Sequence, residues 1–279
     1  MYGLGILSKP QMLIFAPVLI FWVIRKKKWV HLILGPILAL AVILALSTPF
    51  LKNWDYLKLI DLYSGTMDYY AYYTINAYNI WALFGMNWGH LPENSTWLQF
   101  GVPVATALAG YLMLKSKRDD AIFVCPTVLM FTVYMLCIKM HERYLFPVLL
   151  CMLLSYVFTR EKRWLICFAG TSFFHFLNVA YILHLNNTFI PANAPQILLL
   201  SFAHVVMYAY MLYITWLTYL SKKAFSALPE LPRRPIAKEK PTAAVSVPET
   251  PSSGNRRLTR RSEERRVGKE CRSRWSPYH

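Results

Sequence analysis

Runs of about 20 mostly apolar residues follow one another along this chain, the length a helix needs to cross the hydrocarbon core of a bilayer at about 1.5 Å per residue. Seven such runs stand at about residues 3–24, 30–49, 98–114, 121–138, 144–158, 164–183 and 197–220. Backbone N–H and C=O groups cannot stay unpaired in hydrocarbon, and no run alternates with the period of two that a barrel strand needs, so the expected fold is all-α. Of the 279 residues, 56% are apolar or aromatic and only 16% are charged. Soluble domains carry about 25% charged residues, so the balance excludes an ordinary soluble enzyme and predicts a polytopic membrane protein.

The net charge of +16 divides into +7 over residues 1–220, +6 over 221–260 and +3 over 261–279. More than half of the excess therefore lies outside the apolar part, and nucleic acid is not an expected partner. Cys125, Cys137, Cys151 and Cys167 fall inside apolar runs without the paired spacing of a zinc site or a disulfide framework, and read as small buried hydrophobes. No metal site is assigned.

Lys and Arg cluster between the runs at 25–28, at Lys115, Lys117 and Arg118, at Arg160, Lys162 and Arg163, and at Lys222 and Lys223. With seven spans all four clusters share one side, and the positive-inside bias makes that side cytoplasmic. Residue 1 then lies outside, together with segment 50–97, a tight corner at 139–143 and the loop 184–196. An odd span count with an outside start suggests further helices upstream. Segment 50–97 holds Trp54, Tyr56, Tyr63, Tyr69, Tyr70, Tyr72, Tyr73, Tyr78, Trp81 and Trp88, aromatics of the kind that settle at headgroup level. It is expected to form one or two short interfacial helices, the second around Tyr78–Phe84, or otherwise a plain aromatic belt.

Prolines at 229, 232, 235, 241, 248 and 251 within a basic, Ser/Thr/Ala-rich stretch predict a disordered cytoplasmic tail over 221–260, either resting on anionic lipid or free in solvent. Residues 261–279, Arg261 to His279, look like a translated sequencing-library adapter and are set apart from fold reasoning. The membrane domain is thus residues 1–220.

Ionisable groups in or beside a span are costly, which makes them candidates for function. Lys139-Met140-His141-Glu142-Arg143-Tyr144-Leu145-Phe146-Pro147 packs two fixed cations, an imidazole and a carboxylate between two apolar runs. Arg143 has the planar fork that grips phosphate oxygens in pairs, and Lys139 adds a point charge. Lys9-Pro10-Gln11 interrupts the first run, where Pro10 frees carbonyls and Lys9 either lines a polar cavity or snorkels to the headgroups. Asp55, Asp61 and Asp68, followed by Asn76, Asn79 and Trp81, form a set able to meet sugar hydroxyls, with solvated loop acids as the bland alternative. His31, His175 and His204 have no acidic neighbours in sequence and read as packed or interface residues.

The string His141-Glu142-Arg143-Tyr144-Leu145-Phe146-Pro147 resembles the C-terminal half of GT-C superfamily integral-membrane glycosyltransferases, nearest to bacterial mannosyltransferases related to the second mannosyltransferase of GPI-anchor synthesis. Lys9-Pro10-Gln11 and Asn76-Ala77-Tyr78-Asn79-Ile80-Trp81-Ala82-Leu83 look like further segments of that family, so the resemblance covers roughly residues 1–220. It implies a multi-pass protein of the bacterial plasma membrane that moves a sugar, often mannose, from a polyprenyl-phosphate donor to an acceptor on the non-cytoplasmic face. Membrane lipid and the lipid-linked sugar are the implied partners, and a divalent metal is left open. In that scheme Lys139, Arg143 and Lys9 hold the donor phosphate and His141 orients or protonates it. Glu142 pairs with the cations, Gln11 and Tyr144 support them, and the Asp and Asn set with Trp81 meets acceptor or sugar. Enzymes of this kind keep their catalytic acid in the first outer loop, and nothing before Lys9 supplies one. The resemblance therefore implies that Met1 is internal and that the chain is a fragment, inactive alone. The rival expectation is a transporter or lipid-flipping protein with Lys9, His141, Glu142 and Arg143 along its path, which would predict internal repeats that the sequence does not show. A non-enzymatic scaffold would leave the clustered charges without a purpose.

Overall fold

Pro10 has no N–H to donate and disfavours helical backbone in the residue before it. In the computed structural model, which describes residues 1–68, 70–185 and 191–221 (without the side chains of 63 and 66–68), Lys9 is accordingly extended at φ −153° and ψ 108°. The first apolar run is therefore not one helix. It divides into α1 (Tyr2–Ser8), a 3-10 turn (Pro10–Phe15) and α2 (Ala16–Arg25). The chain continues through α3 (Trp29–Ser47), α4 (Leu57–Asp68), β1 (Thr74–Ile75), α5 (Ile80–Leu83), α6 (Gly101–Lys115) and α7 (Ala121–Leu136). It ends in β2 (Met140–His141), α8 (Phe146–Thr159), α9 (Lys162–His184) and α10 (Pro195–Thr215), whose last turn widens over Trp216–Leu220. The expected tail and the adapter-like stretch, residues 222–279, lie outside the described residues, as do 186–190 of the loop expected at 184–196.

Among the described residues the fold is helical, with one pair of two-residue strands, β1 and β2, in parallel. Five stretches among the described residues are long and apolar enough to cross a membrane: Trp29–Phe50, Thr96–Lys115, Glu142–Thr159, Lys162–His184 and Pro195–Leu220. The seven expected runs reduce to these five by length. The first is broken at Lys9-Pro10, and the fourth yields the 16 residues of α7, about 24 Å of helix. What α7 lacks in length it makes up in burial, for α2, α5, α6, α8 and α10 all pack on it. The main apolar core gathers there, around Phe131, Tyr134, Met135, Met152 and Met211. By contrast α3 is apolar on every side and leaves Ile33, Ile37 and Leu38 more than half exposed, as a lipid-facing helix would.

Small residues let the helices approach. A Cβ on Gly110 of α6 would stand 2.6 Å from the Phe21 ring of α2, and one on Gly101 would stand 2.6 Å from the Cys137 sulfur just past α7. Thr127 of α7 and Ser155 of α8 join hydroxyls at 2.8 Å inside the bundle.

Three of the basic clusters meet at one end. The Arg25 guanidinium donates to the carbonyls of Met113 (3.1 Å) and Arg118 (2.9 Å), capping the C-terminus of α6. Lys26 contacts Asp119 at 2.9 Å and holds that carboxyl below its ordinary range. Arg118 binds Asp120 at 2.6 Å and lies over the Tyr219 ring, and Glu161 caps α9 while gripping Arg163 at 2.9 Å. The side-chain bond from Arg163 is also the main cause that lowers the Glu161 carboxyl.

Candidate functional site

At the opposite end, where α7 gives way to α8, the chain turns a corner that segment 70–90 straps down. The Lys139 N–H donates to the Tyr73 carbonyl at 2.9 Å, Thr74 and Ile75 pair with Met140 and His141, and Asn76 bridges His141 in antiparallel sense. Lys139 and Asn76 both sit in the left-handed region, at φ 60° and 56°. Asparagine tolerates that backbone well, and the Asn76 side chain is further fixed: its Oδ1 accepts from Trp88 Nε1 at 2.9 Å, and its backbone N–H donates to Asn87 Oδ1 at 2.9 Å.

The next residues of the strap hold the end of α7. Asn79 Oδ1 caps α5 by accepting from the N–H groups of Trp81 and Ala82, while its Nδ2 donates to the carbonyls of Tyr134 (3.0 Å) and Cys137 (3.4 Å). Trp81 Nε1 donates to Leu136 O at 3.0 Å. The last turn of α7 thus finds partners for carbonyls that a helix C-terminus leaves open. The expected second short helix forms as α5, but wedged against α7 and α10 rather than along the surface, with Tyr78 and Ala82 fully buried. The physical reason is the Asn79 cap, which aims the helix into the bundle.

Within the corner, His141 is 6% exposed, its ring between the edges of Tyr70 (centroids 4.9 Å apart) and Tyr144 (5.4 Å). Burial, and secondly the Arg143 charge, push its pKa down to about 4, so the imidazole is neutral at pH 7 and offers one N–H and one lone pair. Arg143 is exposed, with its guanidinium 5.8 Å from the Tyr144 ring centroid, and among the described residues it makes no ion pair. Glu142 is half-buried and forms no contact within ion-pair distance of a cation among the described residues. Its charge adds instead to the burial and the Tyr181 effect that raise the Tyr78 phenol.

The remaining expected residues lie elsewhere. Lys9 is exposed and Gln11 half-buried at the break in the first run, and no hydrogen bond or ion pair joins either to Lys139–Tyr144. Asp55 pairs with Lys58 at 3.8 Å, Asp61 is exposed on α4, and the Asp68 side chain lies outside what is described. The corner therefore unites Lys139, His141, Glu142, Arg143 and Tyr144 with Tyr70 and Asn76, while Asp55 pairs with Lys58 and Asp61 stands exposed on α4.

His175 and His204, read from sequence as packed or interface residues, are buried, but the sequence reading did not bring them together with Tyr78, Asn178 and Ser201. Tyr78, His175, Asn178, Ser201 and His204 are at most 2% exposed, and side-chain polar atoms of each have no hydrogen-bond partner. The signal was present as two polar pairs three residues apart, His175 with Asn178 and Ser201 with His204, inside otherwise apolar helices.

The fold and corner define a helical bundle of membrane-crossing character with a cationic, aromatic-lined turn at one end. No family model, no curated protein and no solved structure matches the chain.

Proposed function

We propose that this chain is the membrane part of a glycosyltransferase of the GT-C kind, which moves a sugar, of the mannose class, from a polyprenyl-phosphate donor. The observation that carries this reading is the continuity between Arg143 and α8. Phe146, Leu150, Leu154 and Val157 form an exposed apolar stripe that begins one turn beyond the guanidinium. A prenyl tail laid along that stripe brings its phosphate to Arg143, which has no carboxylate competing for it among the described residues. His141 then donates a hydrogen bond to the phosphate as a neutral imidazole, and Lys139 supports the same charge from its strapped backbone. The Asn79 and Trp81 side chains are occupied in holding α7, so their role is to fix the corner.

Counting the broken first run and the short α7 as passes gives seven. The clustered Arg25, Arg118 and Arg163 end is then cytoplasmic, and the corner faces outward at the plasma membrane. The test is Arg143→Ala in the full-length protein, assayed in membranes with radiolabelled polyprenyl-phosphate mannose. We expect transfer to fall by about 10²–10³, the range for losing one preorganised donor to developing charge, at unchanged protein abundance. Transfer at the parent rate overturns the assignment.

A further inference from the structure

A second polar locus lies inside the bundle, between α9 and α10. Ile182 and Ile197 belong to one apolar cluster with Tyr78, Ala82 and Leu200. Counting inward from that level along two antiparallel neighbours sets Asn178 opposite Ser201, and His175 opposite His204. His175 is then nine residues, about 13 Å, in from the His184 end of α9, deep in the hydrocarbon layer if the helix spans it. His204 Nδ1 lies 3.0 Å from the Tyr78 carbonyl, the ring edge of Phe146 meets His175 with centroids 4.7 Å apart, and the Tyr134 ring meets His204 at 6.3 Å.

Seven polar atoms here are buried without a partner: the Tyr78 hydroxyl, both ring nitrogens of His175, both amide atoms of Asn178, the Ser201 hydroxyl and His204 Nε2. Buried polar atoms in folded proteins are paired with protein or with ordered water, and polar groups at membrane depth persist where they serve a pathway or a ligand. None of the five residues is a carboxylate or a fixed cation, and no set of three or more metal-ligating side chains exists among the described residues. A phosphate, an ion or a metal therefore does not match. Amide, imidazole, phenol and hydroxyl groups each pair with O–H groups as donor and acceptor, and aromatic rings flank the locus.

We propose that Asn178, Ser201, His175 and His204, linked to the corner through Tyr78, form an internal site for neutral hydroxyl groups. These are supplied by water or by the hydroxyls of a lipid-linked sugar. The site stands whether or not Arg143 acts in sugar transfer.

Ser201→Cys in the full chain, reconstituted in vesicles, is exposed to a small water-soluble methanethiosulfonate. The comparison is Leu199→Cys, which is 68% exposed on the outer surface of the same helix, after subtracting the parent's labelling. We expect Ser201→Cys to react at least tenfold faster than Leu199→Cys. If added polyprenyl-phosphate mannose suppresses that labelling, sugar hydroxyls fill the site; if it does not, water fills it. Equal rates at the two positions overturn the proposal. Asn178→Leu gives a reading that does not depend on a reactive cysteine. It is expected to lower Tm, because it strips partners from bound hydroxyls, whereas a Tm at or above the parent's marks a dry seam and overturns the proposal.

Discussion

Asn79 commits both ends of its amide to backbone, the oxygen to the first turn of α5 and the nitrogen to the last turn of α7. Replacing it with Ala removes an N-cap, at about 0.5–2 kcal/mol, and leaves buried carbonyls unpaired, at about 1–3 kcal/mol. Asn79→Ala should therefore destabilise the protein by about 2–4 kcal/mol. Chemical unfolding in detergent measures this, with Asn79→Ser as the variant that keeps the cap oxygen and recovers part of the loss. A loss below about 0.5 kcal/mol would mean that water replaces the amide at both ends. This residue also marks the limit of sequence reading at its scale. An asparagine and a tryptophan in a polar segment look like sugar contacts, because the carbonyls that engage them come from 55 residues further along the chain. The contact of Arg143 with the Tyr144 ring joins residues adjacent in sequence, whereas the Tyr70 ring and the Asn76 bridge that enclose His141 come from far earlier in the chain.

Among the elements, what was local in sequence was legible and what depended on packing was not. Run length is a local property, and five of the seven apolar runs became helices long enough to cross a membrane. The first run failed at Pro10, where a missing N–H outweighs apolar composition. The fourth gave a shorter helix because α7 is sheathed by others and need not meet water or headgroups at both ends by itself. Such sheathing rests on close approach, so the α2–α6 contact at Gly110 is sensitive to substitution. Leucine there must displace the Phe21 ring, and overpacking of this kind costs about 1–3 kcal/mol. Gly35 of α3 faces open space, so Gly35→Leu serves as the matched control. Gly110→Leu should lower Tm and Gly35→Leu should leave it level or raise it, by thermal unfolding of the purified chain. Equal behaviour of the two would mean that α2 does not pack against α6 at that point. The consequence reaches beyond α2, since Arg25 at its end caps α6.

At the scale of the molecule, charge is sorted by end. Arg25, Lys26, Arg118 and Arg163 are engaged with Asp119, Asp120 and Glu161 at one end, while the His141–Arg143 corner and its aromatic strap stand at the other. A bundle built this way has a defined orientation to be tested, because Lys and Arg in short loops stay on the cytoplasmic side whereas aromatic segments favour either interface. Glu93 lies exposed just past the strap and Lys117 in the turn between α6 and α7, on opposite ends of α6. In intact cells, Glu93→Cys should react with a membrane-impermeant maleimide, and Lys117→Cys should react only after the membrane is opened. The reverse pattern would put the proposed Arg143 phosphate site on the cytoplasmic face. A lipid-phosphate donor would then have to be met from within, and the outward-facing transferase would fail even if Arg143 proved essential. Reaction at both positions in intact cells would mean that the helices do not separate the two ends, and the positive-inside reading would fail with it.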